Sequence, residues 1–319
     1  MTDFAVDEPL KASIPAPQKD GGDASIASYQ GMIWRRFIRH RGAVAGAIVL
    51  VVIFISVILA GLSPYDPNEP NMTETLQPPS LSHPMGTDAL GRDYLTRVLY
   101  GGRISLAVGV MVVMITLTLG VTVGALAGYF GGWLDTVLMR LTDAFLTMPA
   151  FLILILLSTI MREIELPFFT RNNVVAIAVV IGVLSWMTFA RLTRAAILTL
   201  REMDYVKASI SLGASHLRVI TRHILPNMVG LLVVEATLEL SYAIIEESGL
   251  SFLGFGIQPP TPSWGNLLSN ASEHFVKHPW LAIYPGVMIF LTIISVNYIG
   301  DGLRDAFDPH KVLQKVGEV

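Results

Sequence analysis

The sequence predicts an all-α membrane protein of six transmembrane helices, with both termini on the cytoplasmic side. Three observations predict it. Of 319 residues, 52% are hydrophobic and 15% charged, with a mean hydropathy of +0.58, whereas about a quarter of a soluble domain is charged. Apolar runs long enough to cross a bilayer as single helices recur along the chain. Arginine and lysine then fall mainly on one side of the resulting topology. The net charge of −3 calls for no nucleic-acid partner. The absence of cysteine excludes disulfides, thiolate metal sites and a cysteine nucleophile.

Residues 1–28 hold Pro9, Pro15, Pro17 and the Gly21-Gly22 pair with little to bury, and are expected to form a disordered cytoplasmic tail without the apolar core of a signal peptide. An interfacial basic helix is expected over 29–41, where Trp34 and Phe37 sit among Arg35, Arg36, Arg39 and Arg41. The transmembrane domain proper is expected over 42–308. Its first span, 42–62, is uninterrupted and apolar and ends at Ser63-Pro64-Tyr65-Asp66-Pro67.

The following loop is polar and proline-rich. Gly86 and Gly91 supply turns, and Thr87 is expected to cap an amphipathic helix leading into the second span. His83, Asp88 and Asp93 could be assembled into a metal site, but one His and two Asp in a turn-rich loop are commonplace and a closed site wants more ligands. The structural reading is favoured, and no metal is expected. In the second span, 102–128, Gly120, Gly124 and Gly128 lie four apart on one face, the spacing that lets helix backbones approach closely in lipid.

The third span is expected over 136–160, with Asp135, Arg140 and Asp143 near its start as cytoplasmic pairs or snorkelling groups. A fourth, 174–190, is closed by Arg191 and Arg194. The fifth, 228–245, carries Glu235 and Glu239 four apart, with Tyr242 and Glu246 continuing the stripe. Carboxylates at membrane depth are costly and should face protein or water, which makes these four residues candidates to line a path. An outer loop from Glu247 to Trp280 precedes the sixth span, 281–299, and residues 309–319 form a cytoplasmic tail.

Between the fourth and fifth spans lies the polar segment 200–227, LREMDYVKASISLGASHLRVITRHILPN. Tyr205 to Leu212 reads as a short helix, and Gly213 gives the backbone freedom to turn. Leu217, Ile220, Ile224 and Leu225 resume an apolar stripe at helical spacing, and Pro226 marks the start of a new helix. Small residues cluster at the bend, so little bulk would keep it out of a groove on another protein. Placing the N-terminus inside puts this basic segment in the cytoplasm, leaving outside Arg92, Arg97, Arg103, Arg162, Arg171 and Lys277. No phosphate-binding loop, zinc-protease motif or nucleophile elbow is present. A catalytic residue is therefore not expected, and a transporter built this way needs a gradient or an external motor.

Several phrases together carry a resemblance. The chain contains LQPPSLSHPMGTDALGRDYLTRVLYGGRISL from Leu76, GGWLDTVLMRLTDAFLTMP from Gly131, DYVKASISLGASHLRVITRHILPN from Asp204, ESGLSFLGFGIQPPTPSWGNLL from Glu247 and GDGLRDAFDP from Gly300. Over nearly everything after Trp34 it resembles the dipeptide/oligopeptide/nickel importer permeases of the DppC/OppC type, which belong to the ATP-binding-cassette (ABC) importers. Ala208, Gly213, Leu225 and Pro226 fall at the spacing of that family's cytoplasmic EAA loop. Lys207 stands where the pattern has Glu, Ser209 where it has a second Ala and His223 where it often has Ile, so a Glu-mediated contact at 207 is not carried over.

The resemblance implies a type I importer permease fold in a bacterial inner membrane. It implies a second related permease (DppB/OppB-like), two ABC ATPase subunits holding ATP and Mg, an extracytoplasmic substrate-binding protein, and no cofactor on this chain. It also implies that Lys207, Ala208, Ser209, Leu212, Gly213, Ala214 and Ser215 meet an ATPase and convey its closure to the spans. Short peptides are the expected cargo, with nickel or oligosaccharides as alternatives. The competing class is a stand-alone carrier using Glu235 and Glu239.

Overall fold

The computed structural model describes residues 22–163 and 173–307. The expectations for the start of the N-terminal tail, for most of the loop after the third span and for the C-terminal tail lie outside them. Apart from one isolated bridge, Thr87 to Asp93, regular structure among the described residues is helical.

Helix α1, Gly22–Arg39, begins inside the segment expected to be a tail. The prolines all lie upstream of it, and Ala24 and Ala27 favour helix once they are passed. His40 is extended (φ −81, ψ 96) and its Nδ1 accepts the Ala43 N–H at 3.0 Å, so it caps α2, Arg41–Leu59. A 3₁₀ turn, Ala60–Leu62, completes the first span.

Asp93, not Thr87, caps α3: its carboxylate accepts the Thr96 N–H at 2.8 Å. Thr87 is fully buried in the loop, accepting from the Gln77 N–H at 2.8 Å and donating to the Glu74 carbonyl at 2.5 Å. The three residues weighed as a metal site are held instead in hydrogen bonds of the loop. His83 lies 2.8 Å from Asp93, while Asp88 accepts from Arg92 at 2.8 Å. Among the described residues no group of three or more potential ligands could hold a metal.

Helix α3 runs Tyr94–Phe130, merging the amphipathic lead and the second span. The expected single third span is broken. Helices α4, Gly132–Leu146, and α5, Ala150–Glu163, meet at 89°. Pro149 has no N–H to donate and disfavours helical backbone at Met148. Helix α6, Asn173–Leu200, outruns the expected fourth span by more than two turns.

After the short α7, Asp204–Ser211, helix α8 runs His216–Phe252 as one apolar rod. Within it Pro226 sits in the first turn of the regular α-helical stretch Leu225–Phe252, as expected, where a proline forgoes no intrahelical bond. What precedes it is a π-type turn, Val219–Ile224, with the Leu225 N–H reaching back to the Ile220 carbonyl, so the rod runs on across that start. The helix also continues to Phe252, so the outer loop starts later than Glu247 and contains α9, Trp264–Ser272. Helix α10 spans Trp280–Phe307. Five helices are long and apolar enough to cross a membrane, or six if α4 and α5 count as one bent span.

The glycine face of α3 packs on α6 of the same chain. A Cβ at Gly120 would lie 2.3 Å from the Phe189 Cβ, and one at Gly124 would lie 2.5 Å from the Ala190 carbonyl oxygen. Buried Val108, Val112, Leu154, Ile177, Ile181 and Leu250 join α3, α5, α6 and α8 into the central core. Helix α10 closes the bundle against α2 and α8.

Candidate functional site

The polar segment between α6 and α8 forms a small structured hairpin at one end of the bundle. Helix α7 presents one fully buried side chain, Val206, to a cluster with Ala125, Ile197, Val219, Ile224 and Met228. Burying a valine contributes about 2 kcal/mol, and this one joins the ends of α3, α6 and α8 beneath α7. Polar ties reinforce the seat. Arg201 donates to the Gly128 and Tyr129 carbonyls at 3.2 and 3.3 Å, and the Tyr129 hydroxyl lies 3.0 Å from His216 Nδ1. Arg194 forks onto Asp135 at 2.5 and 2.6 Å, tying α6 to α4, and Arg191 meets Asp143 at 2.5 Å. Asp135 and Asp143 of α4 are therefore paired.

The bend is a left-handed cap. Gly213 has φ +81 and its N–H reaches the Ile210 carbonyl at 2.9 Å, while the Ala214 N–H reaches Ser209 at 3.1 Å. Left-handed backbone after a helix is glycine's usual role. A Cβ at 213 would meet nothing within 4 Å, so the demand for glycine within this chain is conformational rather than steric.

Lys207, Ala208, Leu212, Gly213 and Ser215 are exposed, whereas Ser209 and Ala214 are half-buried, Ala214 against the Val206 cluster. Lys207 lies 3.2 Å from Glu202, and its hydrogen bond and charge hold that carboxyl below the usual carboxylate range. Leu217, read from its spacing as part of the inward stripe, is 72% exposed, and Leu212 is 89% exposed. The inward position is taken by Val219 instead. The bend thus offers a bare apolar edge beside its small residues, which counting small residues alone would miss.

The carboxylate stripe on α8 divides. Glu239 reaches into the bundle, 3.4 Å from the Thr116 hydroxyl of α3. Glu235 and Glu246 are half-buried, and Tyr242 is 63% exposed, facing away from this chain's core. The structure therefore brings Glu239 together with α3 and leaves Tyr242 apart. Sequence reasoning also misplaced Glu247 in a loop. It is fully buried in α8, accepting hydroxyl protons from Ser105 at 2.8 Å and Ser251 at 2.7 Å.

Comparison with known proteins places this geometry. A family profile described as binding-protein-dependent transport system inner membrane component matches residues 120–312. A second, the N-terminal TM domain of oligopeptide transport permease C, matches residues 28–79. The oligopeptide transport system permease protein OppC of Mycobacterium tuberculosis is 37% identical over 285 residues, covering 89% of this chain and 96% of the relative. The glutathione transport system permease protein GsiD of Pectobacterium atrosepticum is 39% identical over 289 residues, 90% and 93% of the two chains. A peptide permease protein of Brucella suis is 38% identical over 310 residues, 95% and 100%.

Proposed function

Because the chain belongs to the family of binding-protein-dependent transport system inner membrane components, we propose that it forms one half of a translocation path for short peptides, driven by ATP hydrolysed on separate subunits. The observation that carries this reading is the seat of α7. An exposed bend is fixed through Val206, Arg201 and Tyr129 to the ends of α3, α6 and α8. A push on the bend therefore moves the span ends together, because packed interiors transmit displacement rather than absorb it.

The machinery consists of a second related permease, two ABC ATPases that carry ATP and Mg, and an extracytoplasmic binding protein. This chain binds no cofactor and catalyses no reaction of its own. Lys207, Ala208, Leu212, Gly213 and Ser215 meet the ATPase, with Ser209 and Ala214 shaping the bend from beneath. Glu239 and its neighbours Glu235 and Glu246 line the polar side of α8, and Tyr242 faces the second permease. Peptide cargo is supported by the relatives, which are named for oligopeptides, peptides and glutathione, itself a short peptide.

The test is reconstitution of the chain with its second permease, ATPases and binding protein in sealed vesicles. Uptake of labelled di- to pentapeptides that requires both ATP and the binding protein is expected. Uptake driven by an ion gradient without ATPases, and lost on Glu239→Gln, would replace this reading with a secondary carrier. ATP-dependent uptake of nickel or oligosaccharide but not peptide would overturn the cargo alone.

A further inference from the structure

Glu247 is the most deeply buried carboxylate among the described residues, with no exposed surface. Among the described residues no basic side chain forms an ion pair with it. Burying such a group is expensive unless each oxygen is hydrogen-bonded. Both oxygens are, and each ends a two-step relay. The Trp264 N–H donates to the Ser105 hydroxyl at 3.2 Å, which donates to Glu247 Oε2 at 2.8 Å. The Ile257 N–H donates to the Ser251 hydroxyl at 2.9 Å, which donates to Glu247 Oε1 at 2.7 Å.

The two backbone donors bracket one segment, running from the turn after α8 to the first residue of α9. Other features press the same segment against the same place. Trp264 is fully buried, and its ring N–H donates to the Val98 carbonyl of α3 at 3.0 Å. A Cβ at Gly265 would lie 2.5 Å from the Ser248 carbonyl oxygen of α8. Asn266 holds the Ile257 and Thr261 carbonyls at 3.2 and 2.8 Å. All of this lies at the end of α8 remote from α7.

We propose that Glu247 is a positioning residue for transport: through Ser105 and Ser251 it pins the 253–264 segment at Ile257 and Trp264, so that α9 and the outer ends of α3 and α8 move as one body when the path opens. This rests on the importer reading above. A neutral amide serves the two relays unequally: its oxygen accepts one serine proton, but its NH₂ must donate to the other serine, whose own hydroxyl proton is left without that acceptor. The carboxylate is therefore required for its two acceptor oxygens, not for its volume.

The test combines hydrogen exchange with transport in the complete reconstituted complex. Ser105→Ala and Ser251→Ala each remove one relay with little change in volume, and Glu247→Gln removes one while keeping the shape. Each variant is expected to speed amide exchange across 253–264 by about tenfold, the scale of one lost hydrogen bond to such a group. Exchange in α3 beside α6 should stay unchanged, and uptake per ATP hydrolysed should fall. If Glu247→Gln does not assemble, the two serine variants carry the test. Wild-type exchange over 253–264 in all variants, or faster exchange with unchanged uptake per ATP, would overturn the proposal. Wild-type complex that shows no ATP-driven uptake would instead indict the importer reading.

Discussion

Gly120→Ala adds one methyl where the structure has no room for it. The new Cβ would stand 2.3 Å from the Phe189 Cβ and 2.8 Å from the Trp186 carbonyl oxygen, against about 3.5–4.0 Å for an unstrained carbon pair. Both obstacles belong to the near side of α6, one of them backbone, so α3 and α6 must separate by roughly 1 Å. Overpacking of this kind costs about 1–3 kcal/mol, and a midpoint of ~2 kcal/mol corresponds to about a thirtyfold loss in the folded-to-unfolded ratio. Alanine's better helix propensity recovers at most about 1 kcal/mol of it. The assay is thermal unfolding of the purified complex, with two internal controls. A Cβ at Gly286 would sit 3.9 Å from Leu268, and one at Gly249 would sit 3.4 Å from the Phe151 ring. Gly286→Ala should therefore melt at or above wild type, Gly249→Ala close to it, and Gly120→Ala clearly below. If Gly120→Ala melts with Gly286→Ala, the close approach of α3 and α6 is not what holds this face together.

Three further outcomes follow from the hairpin. Gly213→Val should insert normally but lose most ATP-driven uptake, because a left-handed residue costs an L side chain about 1–2 kcal/mol and the branched group occupies the bend; Gly213→Asn, which tolerates that backbone, should retain more uptake in the same vesicle assay. Val206→Ala should cost about 2 kcal/mol and reduce uptake per ATP hydrolysed more than it reduces ATP hydrolysis, as the bend loses its seat. Swapping charges in Asp135→Arg with Arg194→Asp should recover more thermal stability than either single change, with a coupling of about 1 kcal/mol; no recovery would mean that the fork contributes nothing.

Much of the fold was legible because the bilayer imposes a length and a polarity on each span. The runs at 42–62 and 281–299 follow from that alone, and the glycine face of α3 follows from its four-residue spacing. What was not legible depended on partners within the fold. The break at Pro149 needs the 89° turn to α5, and the sequence does not say whether a proline kinks a helix or ends it. Pro226 does open the regular stretch Leu225–Phe252, but the π-type turn that joins it to His216–Arg218 depends on packing the sequence does not show. Thr87 resembled a cap by type, yet the helix start was set by Asp93, six residues further on, whose carboxylate accepts the Thr96 N–H. In the hairpin, the bend at Gly213 was readable from composition, while the exposed edge of Leu212 and Leu217 was not. Their outward direction is decided by Val206 and Val219 filling the space beneath. Glu247 escaped notice for a related reason: acids beside a proline-rich stretch read as loop, and only the serine hydroxyls of α3 and α8 make its burial tolerable.

The central claim, that motion of an ATPase enters this chain through the bend at Gly213, is tested most directly by a reporter at Leu212. That side chain is 89% exposed, and the native chain contains no cysteine to compete with Leu212→Cys. In the assembled complex, a short thiol cross-linker at this position should join the chain to an ATPase subunit, and the cross-linked complex should hydrolyse ATP without peptide uptake. Modification of the cysteine in intact cells by a membrane-impermeant maleimide, or the absence of any cross-link to an ATPase, would contradict the account.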